Sequence, residues 1–306
     1  MKYQKEALTF EDQAQRLFDR GLEANLEELI RRLQAVSYYR LSGYLHPFRL
    51  TDSDGYQPGT TLNEVWQRYC FDRRLRMLML DGIERIEVAV RTQLLYKFSH
   101  THGAFGHCDE RNLPRLKVRD YISWRECLLV ETSRSKETFA KHFSKKYGDT
   151  HQNLPIWMVA ELMSMGSFLT FFKGVDDPVR SAVARHFSMP APQLESWLLA
   201  LNGARHICAH HSRLWNRVLG YAPGLPQANK HPDWHLKDND DKNLLTNNRS
   251  GMLMFVILHF LRQISPTSQW QKRIETLFTE YPSIPPADMG LPQDWKTHPL
   301  WQTPNS

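Results

Sequence analysis

Apolar residues recur along this chain at three- and four-residue spacing, the period of a helix with one buried face. The longest run opens at Thr61 and Glu64, a capping-box pair, and continues to about His100. Within it Leu75, Leu78, Met79, Ile83, Ile86 and Val90 form the apolar face, while Arg73, Arg76, Glu84, Glu87 and Arg91 are expected mostly elsewhere. This pattern predicts a principal bundle helix. Two shorter helices are expected before it, started by Thr9 with Asp12 and by Asn25 with Glu28, the first stopping near Gly21. The turn-forming stretch DSDGYQPG follows at 52–59.

Further helices are expected over 118–147, 156–173 and 178–187, the last with Asp177 as N-cap and Pro178 in its first turn. A helix from about Gln193 to at least His210 carries an apolar stripe of Leu194, Trp197, Leu198 and Leu201, which anchors it in the core. The segment 221–234 is rich in proline and turn residues and marks an internal boundary; 244–264 and 268–281 then read as helices. The tail from Pro282 has prolines and tryptophans but no helical period. The fold class predicted is all-α, a helical bundle with N- and C-terminal helical extensions. It divides as 1–58, a core at 59–220, and a linker with C-terminal helices at 221–306.

A chain of 306 residues that is 41% hydrophobic can bury a sizeable core. A net charge of +6 suits an RNA partner and equally an ordinary basic protein. Cys70, Cys108, Cys127 and Cys208 make no Cys-x-x-Cys pair, which speaks against a disulfide framework or a zinc ribbon and fits a reducing cytoplasm. No apolar leader is read at the N-terminus, and MLMFVILHF, at 252–260, is too short to span a bilayer, so no membrane partner is expected.

The densest chemistry lies in LNGARHICAHHSRLWNR, 201–217, where Arg205, Arg213 and Arg217 alternate with His206, His210 and His211. Of the 14 histidines only His210 has an arginine five positions before it, Arg205. An imidazole moves protons near neutral pH and a guanidinium offers a planar fork to phosphate oxygens, so together they can cleave a phosphodiester without a metal or other cofactor. On an ideal helix positions five apart diverge by about 140° around the axis, so Arg205 must reach, or the helix distort, for both to touch one phosphate. The bland alternative is a solvated helix end whose cations suit the C-terminal dipole. His206 and His210, four apart, can share a metal, but Ile207 stands where the metalloprotease pattern needs glutamate. Ser212 lacks the Gly-x-Ser-x-Gly elbow of a serine nucleophile. His211, Arg213, Asn216 and Arg217 are candidates for RNA contacts or plain surface. Tyr38, Tyr39, Arg40, Tyr44, His46, Phe48 and Arg49 can stack bases and bind backbone, or form a packed corner between helices.

Four segments in order, SYYRLSGYLHPFR (37–49), GIERIEVAVRTQL (82–94), LPIWMVAELMSMGSF (154–168) and ARHICAHHSRLWNR (204–217), resemble the Abi-like abortive-infection proteins of the AbiD/AbiF type, members of the HEPN ribonuclease superfamily. The resemblance covers about 30 to 220 and implies a HEPN-type bundle and a metal-independent endoribonuclease with Arg205 and His210 as catalytic residues. Its products would be a 2′,3′-cyclic phosphate and a 5′-hydroxyl. It further implies a homodimer with two facing motifs, a role in phage defence or as a toxin, and a structured noncoding RNA as partner. Glu84, Glu87 and Arg91 become candidate supporting residues, since a carboxylate can fix a histidine tautomer. The chain departs from the family at His206, where asparagine is common. A binding protein that grips RNA without cleaving it, and a metal-dependent hydrolase, are the alternatives.

Overall fold

The computed structural model describes residues 6–302. Residues 1–5, part of the segment read as lacking an apolar leader, and 303–306, which include the last proline of the tail, lie outside the described residues. Twelve α-helices are seen among the described residues, with isolated β-bridges but no strand or sheet, so the fold is all-α.

The first two helices, α1 (Phe10–Asp19) and α2 (Leu26–Val36), start as their caps predict: Thr9 accepts from the Asp12 N–H and Asn25 from the Glu28 N–H. The aromatic cluster, open in the sequence between corner and base platform, is a helix over its first part, α3 (Tyr38–Leu45), and a 3-10 turn over His46–Phe48. It follows α2 directly through Ser37, which sits at φ 64° yet caps α3 by accepting from the Arg40 N–H at 3.4 Å. The principal helix, α4 (Leu62–His102), opens with the full Thr61/Glu64 capping box and ends at Gly103, whose φ of 74° suits glycine.

Two long expected helices are broken by serines that bond their own backbone. The run at 118–147 splits into α5 (Val118–Arg134) and α6 (Thr138–Tyr147), because extended Ser135 accepts from the Glu137 N–H at 3.2 Å. The run at 156–173 splits into α7 (Ile156–Val159), a short 3-10 turn and α8 (Met165–Gly174), because Ser164 starts a new helix by accepting from the Ser167 N–H. Asp176, one residue before the expected cap, begins α9 (Asp177–His186).

The motif helix, α10 (Ala191–Ala209), stops one residue short of His210, which is its C-cap. The expected helix from 244 begins only at α11 (Ser250–Ile264), because 244–249 pairs instead with the loop after the motif: the Leu219 N–H donates to the Asn248 carbonyl and Val218 bridges to Arg249. The last helix is α12 (Trp270–Glu280).

At about 1.5 Å of rise per residue, α4 runs roughly 60 Å and is the axis of the molecule. Helices α3, α9, α10, α11 and α12 pack along it. Residues from Met252 to Leu258 are all buried, so α11 is enclosed on every side. It lies close to α4 because Gly82 has no side chain: a Cβ there would come within 2.5 Å of Ile257. A single hydrophobic core runs from Ala14 to Trp301 and includes residues of the tail. No helix among the described residues is long and apolar enough to cross a membrane.

Candidate active site at the end of the motif helix

The apolar stripe of α10, including Leu194, Trp197, Leu198, Leu201 and Ala204, is buried, and the helix carries its polar end out of the core at Arg205. Arg205 is 44% exposed at its side chain and pairs through Nε with Glu87 of α4 at 3.2 Å. Glu87, mostly buried, also accepts from Arg91 at 2.7 Å, one turn along α4. Arg91 in turn donates to the backbone carbonyls of Ala160 (2.7 Å) and Met163 (3.2 Å). The chain Arg205–Glu87–Arg91 therefore links three of the four segments singled out in the sequence and sets a carboxylate beside one nitrogen of the Arg205 guanidinium. Glu84, exposed one turn earlier on α4, pairs with no cation among the described residues.

His206 and His210 are exposed, and their rings lie 4.2 Å apart between centroids. Among the described residues no three His, Cys, Asp or Glu side chains gather as a metal site. Cys208, between them in sequence, points into the core. Burial, then the charge of Asp72, pushes its thiol up to about 12, so it stays protonated and is no nucleophile.

Beyond the C-cap the chain reverses at His211, a non-glycine residue at φ 55°. Arg40 of α3 donates to the His211 carbonyl, and Arg213 donates to the Gly43 carbonyl of α3. These two crossed arginines bind the motif loop to α3. Tyr39, also on α3, is 89% exposed, whereas Tyr44 is buried; the aromatic cluster thus supplies both a packed corner and a free ring. Asn216 is half-buried; its backbone carbonyl accepts from Arg249 at 2.8 Å and its side-chain oxygen meets no partner among the described residues.

Sequence reasoning missed the group beneath this loop. Asp72 of α4 is 0% exposed and accepts from the Trp215 N–H (2.7 Å), the Leu214 N–H (3.1 Å), the Tyr44 hydroxyl (2.6 Å) and Arg76. Arg76 is buried, not on the outer face where the pattern placed it. The signal was present: Asp72, Arg76, Met79, Ile83, Ile86 and Val90 continue one three-four stripe, and an acid and a base four apart inside an apolar stripe announce a buried pair.

The geometry is that of an all-α protein presenting an arginine and two adjacent, mutually tilted imidazoles at the end of a helix. The chain belongs to the Abi-like protein family, whose family model matches residues 31–216, from α2 to the residue after Trp215. No curated protein and no solved structure matches it.

Proposed function

We propose that this chain is a HEPN-type, metal-independent endoribonuclease of phage defence by abortive infection, or a toxin restrained by a structured noncoding RNA. Membership of the Abi-like family points to abortive infection. The observation that carries the chemistry is Arg205: its Nε pairs with Glu87 at 3.2 Å while its side chain stays 44% exposed at the same helix end as His210.

In this reaction the RNA 2′-oxygen attacks the adjacent phosphorus and gives its proton to a histidine. The bond from phosphorus to the 5′-oxygen breaks, and that oxygen takes a proton from a second imidazole. Arg205 stabilises the charge that accumulates on the phosphorane-like oxygens. His210 is the base, and the His210 of a second copy is the acid. Val88 and Tyr96 of α4, each 54% exposed, offer apolar surface for that copy. His206, in contact with His210, is the acid within one chain should a single copy suffice. A second reading, an RNA-binding protein without cleavage, draws on the partial neutralisation of Arg205 by Glu87.

The test is RNA cleavage and cellular toxicity of Arg205→Ala and His210→Ala. Both variants are expected to lose activity while keeping the helical circular dichroism of the parent, and the parent is expected to cleave in excess EDTA. Its specific activity should fall on dilution below the dimer dissociation constant. Loss in EDTA with recovery on adding zinc supports a metal-dependent hydrolase instead, and full activity of either variant removes the assignment.

A further inference from the structure

Beside the motif, a cavity of about 530 Å³ opens between α3 and the loop that follows α10. Ser37, Tyr39, Arg40, Ser212, Arg213 and Arg217 line it, with Gly43 and Tyr44 at its floor. Three guanidiniums share this cavity and no carboxylate lines it. Asp72, buried beneath the loop, is already occupied by Tyr44, Arg76 and two backbone N–H groups.

Arg40 and Arg213 each give one nitrogen to a backbone carbonyl across the cavity, so their positions are fixed. Their remaining N–H donors, and all those of Arg217, meet no acceptor among the described residues. Tyr39 presents a free ring at the rim. The backbone here is also strained in a way other parts of the chain mostly avoid. Ser37, in the wall, sits at φ 64°, and His211, whose carbonyl Arg40 holds, sits at φ 55°; both are left-handed conformations unfavourable for residues other than glycine. Such strain persists where the surroundings over-determine it, and it concentrates at ligand sites.

We infer that this cavity binds one nucleotide of a single-stranded RNA, its phosphate held by Arg40, Arg213 and Arg217 and its base stacked on Tyr39. The inference rests on the RNA-cleaving reading and adds the subsite that seats the strand beside the scissile bond. Phosphate is the ligand a cluster of fixed guanidiniums recognises, because their planar forks match its oxygens. An exposed tyrosine ring is what a single-stranded base stacks on, without regard to sequence.

The test is fluorescence anisotropy with a labelled single-stranded RNA 12-mer, using the full chain carrying His210→Ala so that the probe stays intact. Cleavage of the same RNA by chains with native His210 runs in parallel. In the binding assay Tyr39→Ala is expected to weaken affinity about tenfold or more, the scale of a lost stacking contact, while Tyr39→Phe stays within about twofold of the parent. Arg217→Ala should weaken it several-fold and reduce the slope of log affinity against log salt by about one. Arg134→Ala, an exposed arginine on α5, should change nothing beyond about twofold. Tyr39→Ala and Arg217→Ala chains that bind like the parent overturn the subsite. If native-His210 chains still cleave in that case, the nuclease reading stands without it. A parent with no affinity for the probe overturns the subsite and the RNA reading together.

Discussion

Asp72 shows how one enclosed side chain sets the position of a site it does not belong to. A carboxylate without water must find donors for its lone pairs, and here it takes two backbone N–H groups just beyond the motif, so the loop carrying His210 and His211 has one place to lie. Replacing Asp72 by Asn leaves Arg76 buried without its counter-ion and turns an acceptor into a donor facing donors. The expected loss is about 3–5 kcal/mol in urea unfolding. Adding Arg76→Met to that chain should recover part of the loss, because the uncompensated charge goes with it; an Asp72→Asn chain as stable as the parent would show that the buried pair holds nothing.

His107 is buried, and burial, with the charge of Arg125 adding to it, lowers its pKa from the ordinary 6.5 to about 3, so it is neutral in the fold. Burial also lowers His259 and His298. A histidine whose folded pKa is depressed contributes stability that is fully present above about 6.5 and is lost as pH falls from there towards the folded value, since the unfolded chain takes up the proton first. Urea midpoints should therefore fall between pH 7 and pH 4, and His107→Asn should make that fall shallower by up to about 1.4 kcal/mol per pH unit. An identical slope in the variant would place the acid sensitivity elsewhere.

At the scale of elements, the long amphipathic run of α4 was legible from end to end because its capping pair and its apolar stripe agree. Of the face read as apolar, Leu75, Met79, Ile83, Ile86 and Val90 are buried and Leu78 packs at its edge. The splits at Ser135 and Ser164 were not legible, since a serine that bonds its own backbone and one that faces solvent leave the same letter in the sequence. Nor was α3, whose aromatics suit a strand or a corner as well as a helix. The crossing of α4 with α11 and α12 hangs on Gly82, where a Cβ would meet Ile257 at 2.5 Å and Trp270 at 3.2 Å. Gly82→Ala, which would strengthen an isolated helix, is expected to destabilise the protein by about 1–3 kcal/mol through overpacking, read as a lower melting temperature. A raised melting temperature would mean that the helices separate freely there.

For the whole molecule, the candidate pair Arg205 and His210 and its candidate supporting residues were named from the local motif and a family resemblance, but their arrangement was not. Arg205 meets Glu87 across two helices, and Arg40 meets His211 across nearly the whole matched segment; contacts so distant in sequence leave no periodic trace. Glu87 meets the motif and Arg91 meets Glu87, while Glu84 pairs with no cation among the described residues, a distinction that only packing decides. In the function proposed, Arg205 and His210 cleave RNA by attack of its own 2′-hydroxyl. Mass spectrometry of the ends produced by the purified chain in EDTA tests it most directly. A 2′,3′-cyclic phosphate on one fragment and a 5′-hydroxyl on the other are expected, while a 3′-hydroxyl with a 5′-phosphate, the signature of attack by an activated water, would overturn the proposal.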